Sequence, residues 1–155
     1  MQAVLSRRAL LAGVGLSLLG LSGLARSLAA RARKTAMVVY KDPGCGCCQK
    51  WVELMGRSDF EVAVRNTTDM KPIKRRYQVG DALASCHTAI VAGYVIEGHV
   101  PADLIHKLLR EKPKVLGLTV HGMVTGSPGM EGPNPERYDV LSFDAGGKTA
   151  VYASR

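Results

Sequence analysis

Met37-Val38-Val39-Tyr40-Lys41-Asp42-Pro43-Gly44-Cys45-Gly46-Cys47-Cys48-Gln49-Lys50-Trp51-Val52-Glu53-Leu54-Met55 reads as strand, loop and helix in immediate succession. Met37 to Tyr40 is an apolar, partly β-branched run, and Asp42-Pro43-Gly44 ends it with turn formers. Cys48, Trp51, Val52 and Met55 then recur at i, i+3, i+4 and i+7, the apolar stripe of a helix. Three cysteines therefore sit where a strand hands over to a helix. Cys48 shares the inward stripe, while Cys45 and Cys47 are expected nearer the rim.

The same alternation continues outward from this stretch. Phe60, Val62 and Val64 alternate with Glu61, Ala63 and Arg65 as in a half-buried strand. Met70, Ile73 and Tyr77 mark a helix capped near Asp69, with Pro72 in its first turn. Thr88 to Val91 and Tyr94 to Ile96 are strand-like runs around Ala92-Gly93, a hairpin signal. Pro101 opens a helix whose Leu104, Ile105, Leu108 and Leu109 form one apolar stripe. The predicted order is βαβαββα, that of a thioredoxin-like α/β domain, assigned to residues 35–113. Residues 114–155 are read as an extension packing on the same domain. Its stretch from Gly117 to Arg137 is loop-rich, and Tyr138 to Phe143 and Thr149 to Tyr152 close it as a β-hairpin around Gly146-Gly147. A loop of that length within a small domain is functional or disordered.

Upstream, Ser6-Arg7-Arg8-Ala9-Leu10-Leu11 opens an uncharged, mostly apolar stretch from Ala9 to Ala25. A basic start, a short apolar centre and small residues after it form an export signal, assigned to residues 1–34 and removed on export. The paired arginines point to the twin-arginine route, with the Sec route as the alternative. The stretch is short and glycine-rich for a spanning helix, so no stable membrane insertion is expected after its removal. This segment also accounts for most of the basicity. The chain carries a net charge of +8, but six of its 21 basic residues and none of its acids lie in residues 1–34, which leaves 15 basic against 13 acidic. Nucleic acid is thereby excluded as a partner, and Lys74-Arg75-Arg76 is read as a solvated helix face. The expected product is a monomer in the periplasm.

Cys45, Cys47, Cys48 and Cys86 are the only cysteines of the chain. Three thiols within four residues suit a metal or redox site better than a structural disulfide framework, whose partners usually lie on separate segments. Free backbone N–H groups and the positive end of a helix favour thiolate over thiol there, and thiolates bind metals. In a thioredoxin-like fold the loop before the third strand, here Ser85-Cys86-His87-Thr88, faces that helix end. Soft thiolates select Cu(I), zinc or iron–sulfur clusters, and Met123 and Met130 add thioethers that suit Cu(I). Adjacent side chains such as Cys47 and Cys48 diverge, so bridging several ions fits them better than chelating one. The expected cofactor is copper, Cu(I)/Cu(II), with more than one ion per chain. A structural zinc site is disfavoured because a second well-spaced chelating pair is missing.

Among the other candidates, His87 either ligates or lines the site, since neighbouring side chains of a strand point opposite ways. His99, just before the helix at Pro101, is read as a cap or loop hydrogen-bonding group in preference to a ligand. His106 is expected to face solvent, and His121 is a weak ligand candidate. Met55, Met70 and Trp51 are assigned to the core. Met123 and Met130 either join the copper or cover the core as flexible hydrophobes.

Cys45-Gly46-Cys47-Cys48, Ser85-Cys86-His87-Thr88-Ala89, Gly93-Tyr94-Val95-Ile96-Glu97-Gly98-His99-Val100-Pro101 and Gly126-Ser127-Pro128-Gly129-Met130-Glu131 together resemble the CopG-like periplasmic copper-resistance proteins. That family is defined by a C-x-C-C motif within a thioredoxin-like domain. The resemblance implies a redox-active copper protein whose cysteines bridge a copper cluster, with the C-terminal extension contributing to the site. The expected work is copper detoxification, by interconverting Cu(I) and Cu(II) or by holding Cu(I) for a periplasmic efflux partner. Thiol–disulfide exchange through Cys45 and Cys48 is the alternative, because they form a C-x-x-C where thioredoxin-like enzymes keep their dithiol. Cys47 would compete in such exchange, and His87 stands where thioredoxins keep a cis-proline.

Overall fold

The computed structural model describes residues 33–155, and the export signal read over the N-terminus lies outside them. The chain runs β1 (Thr35–Lys41), α1 (Gly46–Arg57), β2 (Phe60–Asn66), α2 (Lys71–Arg76), β3 (His87–Val91), β4 (Tyr94–Glu97) and α3 (Ala102–Glu111), with a single 3-10 turn at Asp81–Leu83. The extension adds β5 (Gly117–Thr119), β6 (Asp139–Phe143) and β7 (Thr149–Ser154). All seven strands form one sheet in the order β2-β1-β3-β4-β5-β6-β7. β1 is parallel to β2 and antiparallel to β3, and β3 is antiparallel to β4.

The βαβαββα order through Glu111 is the one expected, and α1 and α3 obey their apolar spacing. Cys48, Trp51, Val52 and Met55 are the buried residues of α1, and Leu104, Ile105 and Leu108 those of α3. Trp51, Val52 and Met55 of α1 and the α3 stripe pack with Met37, Val39, Ala89, Val91 and Ile96 in one core cluster. The alternate residues Ile90 and Val95 join Val79, Leu83, Tyr77 and Phe143 in a second cluster, so the sheet is covered on both sides, as strands with period-two apolar faces require.

Three expectations are corrected here. Gly117–Thr119 is not loop but a strand parallel to β4, buried throughout, and it carries the β6–β7 hairpin into the main sheet. Met70 is not core: it stands half-buried at the start of α2, a six-residue helix that buries none of its residues. Lys74 does not join Arg75 and Arg76 on a solvated face, because it turns inward to the buried carboxylate of Glu97. A short amphipathic pattern with three basic residues cannot say which of them faces the sheet.

Gly98 shows how tightly the site end of the sheet is packed. It adopts a positive φ of 70°, and a Cβ there would stand 2.6 Å from the Ser85 side chain and 2.5 Å from the Val120 carbonyl oxygen. Strained backbone and overpacking then add up, so Gly98→Ala is expected to cost about 3 kcal/mol. The check is a lower denaturant midpoint at an unchanged m-value; a shift below about 0.5 kcal/mol would show that Ser85 gives way freely.

Candidate metal centre

Asp42 builds the turn that delivers the first cysteine. Its carboxylate accepts the Gly44 N–H at 2.7 Å and its carbonyl accepts the Cys45 N–H at 3.1 Å. Cys45 is then the N-cap of α1, its sulfur accepting the Cys48 N–H at 3.4 Å. Cys47 and Cys48 occupy the first helical turn, where unpaired N–H groups and the helix dipole lower the cost of negative charge.

Cys86 arrives from the segment just before β3, and the four sulfurs of Cys45, Cys47, Cys48 and Cys86 all lie within 4.8 Å of one another. Cys45 and Cys48 are joined as a disulfide, whereas Cys47 and Cys86 are free thiols. The Cys45 and Cys47 sulfurs are 3.5 Å apart. Residues three apart at a helix start are close enough to bond, as the C-x-x-C spacing of Cys45 and Cys48 allows.

Two imidazoles stand behind Cys86. The ligand atoms of Cys86, His87 and His99 also lie within 4.8 Å of one another. His99 Nδ1–H donates to the Pro128 carbonyl at 2.8 Å, because that oxygen can only accept. The lone pair of Nε2 therefore faces Cys86 Sγ at 3.0 Å and receives its S–H. His87 Nδ1 is 3.4 Å from the same sulfur, and His87 Nε2 is buried without a hydrogen-bond partner. The His87 ring stands 4.5 Å from that of Trp51, whose N–H donates to the Val100 carbonyl at 3.0 Å.

Burial dominates the electrostatics. It pushes the Cys86 thiol up to about 12, and the charge of Cys47 adds to that. It holds His87 well below the usual imidazole range, reinforced by the positive charges of His99, Lys74 and Lys41, and it lowers His99 as well. Around the disulfide stand the Cys86 thiol and two imidazoles whose burial disfavours their charged forms. Taking up a thiophilic ion requires reducing Cys45–Cys48 and releasing the Cys86 proton.

The extension closes over this cluster. Gly129 lies so near α1 that a Cβ on it would be 2.9 Å from both the Cys47 carbonyl oxygen and the Trp51 nitrogen, and its φ is +86°. Gly129 N–H donates to the Glu131 carboxylate at 2.8 Å, and the turn is tied by Met130 N–H to Ser127 O at 2.8 Å and Gly126 N–H to Met130 O at 2.9 Å. Met130 is half-buried in this loop, whereas Met123 is 62% exposed.

His99 stands closer to the sulfur site than its place in the sequence indicates. The hydrogen-bonding role expected for it exists, through Pro128, but no side chain caps α3 and the second ring nitrogen faces Cys86. The signal was present in its place two residues after Glu97 at the end of a strand paired with the Cys86 segment. His106 is also corrected: instead of facing solvent it stacks on Phe60 at 4.6 Å, and its Nε2–H donates to the Ser58 carbonyl at 2.8 Å.

Residues 83–130 match a family described as "Protein of unknown function, DUF411". That span contains Cys86, His87, His99 and the loop to Met130 but not the cysteines of α1. No curated protein matches the chain. Two solved structures of a copper resistance protein, copG, are similar to it. Form 2 superposes with a TM-score of 0.74 at 38% identity, covering 78% of this chain and 98% of that one. Form 1 superposes with a TM-score of 0.74 at 37% identity, covering 79% and 98%. Identity at that level over nearly the whole length of the relative, on the same mixed α/β architecture, establishes kinship, and the chain belongs to the CopG family of copper resistance proteins.

Proposed function

We propose that this is an exported, periplasmic copper-binding protein of copper resistance. It holds several copper ions through Cys45, Cys47, Cys48 and Cys86 and interconverts Cu(I) and Cu(II). The observation that carries the reading is the convergence of four sulfurs from two separated segments within 4.8 Å. Such a set is soft, can bridge, and is too crowded for each sulfur to serve its own ion, which suits Cu(I). The orphaned nitrogen of buried His87 fits the same reading, since an unpaired buried polar atom is costly unless a ligand takes it up. His99 joins His87 as a nitrogen donor behind Cys86. Met130 and Met123 supply thioethers from the loop over α1.

The copper reading is supported by the name of the relatives, a copper resistance protein. A thioredoxin-like fold is supported by the strand order β2-β1-β3-β4 with the cysteines at the start of α1. Residues 35–113 would form that domain and residues 114–155 its extension. Among the described residues no helix is long and apolar enough to cross a membrane. One chain carries the whole donor set, so a monomer suffices. When bound, the copper would supply one-electron chemistry, the protein holding the ions in a partly buried, sulfur-rich environment.

A second reading is favoured by one observation, the bond between Cys45 and Cys48. It is the dithiol pair of a thiol–disulfide oxidoreductase. A third role, passing Cu(I) to an efflux partner without redox turnover, uses the same ligands.

Loading tests metal identity. Reduced protein filled anaerobically is expected to hold more than one Cu(I) per chain and to keep it against excess zinc, whereas protein with Cys45–Cys48 oxidised should bind fewer ions. Elemental analysis after gel filtration reads both. One tightly held zinc per chain, with copper no better retained, would remove the cluster.

A further inference from the structure

Glu97 is fully buried, yet it carries a carboxylate and takes no part in the sulfur site. It stands at the end of β4 in register with Thr88 of β3, on the α2 side of the sheet, while His87 faces Trp51 on the α1 side. Its Oε2 accepts the Thr88 hydroxyl at 2.6 Å. Its Oε1 accepts the Ser85 N–H at 2.6 Å and the ammonium of Lys74 from α2. Lys74 also reaches the Thr88 hydroxyl at 3.4 Å. Every recorded partner of this carboxylate therefore lies on the segment that brackets Cys86, or on the helix that neutralises its charge.

Burying both members of an ion pair gains little over two well-packed apolar side chains, so stability alone is a poor reason for Glu97 and Lys74. An apolar pair could not accept the Ser85 N–H or the Thr88 hydroxyl. Ser85 is further fixed on its other side, where its hydroxyl donates to the Gly122 carbonyl, and its side chain lies against Gly98, where an added Cβ would stand 2.6 Å from it. The Cys86 sulfur contacts His87, His99 and Ser85, and these side-chain contacts do not hold the backbone on either side of it.

We propose that Glu97, neutralised by Lys74, is a positioning residue for Cys86: it clamps Ser85 and Thr88 on either side and so holds the fourth sulfur against those of α1. The clamp acts through the backbone from the opposite face of the sheet. It ties α2, which contributes nothing else to the site, to the placement of a thiolate. The copper consequence rests on the proposed function; the geometric one does not.

Metal-free protein tests it directly, because Cys47 and Cys86 are its two free thiols. Diamide takes two hydrogens from the pair, is reduced to its hydrazine, and leaves a Cys47–Cys86 disulfide that peptide mapping by mass spectrometry can follow in time. Wild-type protein should form this bond quickly. Glu97→Ala should form it at least about tenfold more slowly, while Glu97→Gln, which keeps an oxygen for the Ser85 N–H, should fall between them. Lys74→Met should slow the bond as well. Cross-linking at the wild-type rate in Glu97→Gln and Lys74→Met, whatever their melting temperatures, would overturn the proposal, and these two variants decide it should Glu97→Ala not fold. Cu(I) titration of the same folded variants is expected to give fewer ions, approaching the count of Cys86→Ser. Slowed cross-linking with an unchanged copper count would uphold the clamp and count against the cysteine-bridged copper reading.

Discussion

Cys86→Ser is expected to lower the number of copper ions bound per chain, not merely to weaken one class of ion. Cys86 is the only sulfur delivered by the β3 segment, and it lies within 4.8 Å of all three sulfurs of α1. On the proposed bridging reading a thiolate in that position would serve more than one ion, so its loss would remove bonds from several at once. The ions that remain should be held about tenfold more weakly or worse, on the order of 1.4 kcal/mol for each factor of ten. The change should also appear in protons. The metal-free thiol, pushed up to about 12, stays protonated at neutral pH, so wild-type loading must release that proton and must tighten as pH rises. Cys86→Ser should release fewer protons on loading. Anaerobic titration in weak buffer with a pH indicator reads both quantities. An unchanged stoichiometry and spectrum would mean that the convergence of the two segments has no metal to serve.

Cys47→Ser separates the copper reading from disulfide exchange. Cys47 is not part of the Cys45–Cys48 bond, yet its sulfur is only 3.5 Å from that of Cys45. If the four sulfurs bridge copper, Cys47→Ser should damage the site about as badly as Cys45→Ser, and the loaded wild type should cycle reversibly between two oxidation states with its sulfurs unpaired. If the dithiol is the working group, Cys45→Ser abolishes disulfide reduction, Cys47→Ser is nearly harmless, and copper inhibits. Copper cycling and reductase turnover measured on the same two variants give opposite orders. Robust turnover that survives the loss of Cys47 would replace the copper assignment by the oxidoreductase one.

Much of this molecule can be read directly from local pattern. Alternation and helical spacing depend only on which face of an element is buried, so β1, α1, the β3–β4 hairpin and α3 follow from residues a few positions apart. The same locality placed Cys45, Cys47 and Cys48 at a helix start, because Asp42-Pro43-Gly44 can only be a turn. Chemistry at that scale also follows from residue type: clustered thiols call for a soft metal or a redox role wherever they lie.

What the tertiary structure alone decided depends on contacts between distant segments. Gly117–Thr119 has no strand signature of its own and becomes β5 because β4 offers it an unpaired edge. His99 aims a nitrogen at Cys86 because the distant Pro128 carbonyl takes its other ring nitrogen. Lys74 leaves its basic run for Glu97, which no periodicity reveals, since a buried charge is set by its partner and not by its neighbours in sequence. The sequence by itself determined most of the elements and the sulfur donors. Only the folded chain determined their meeting, since a site made of two segments exists only where the sheet brings their ends together.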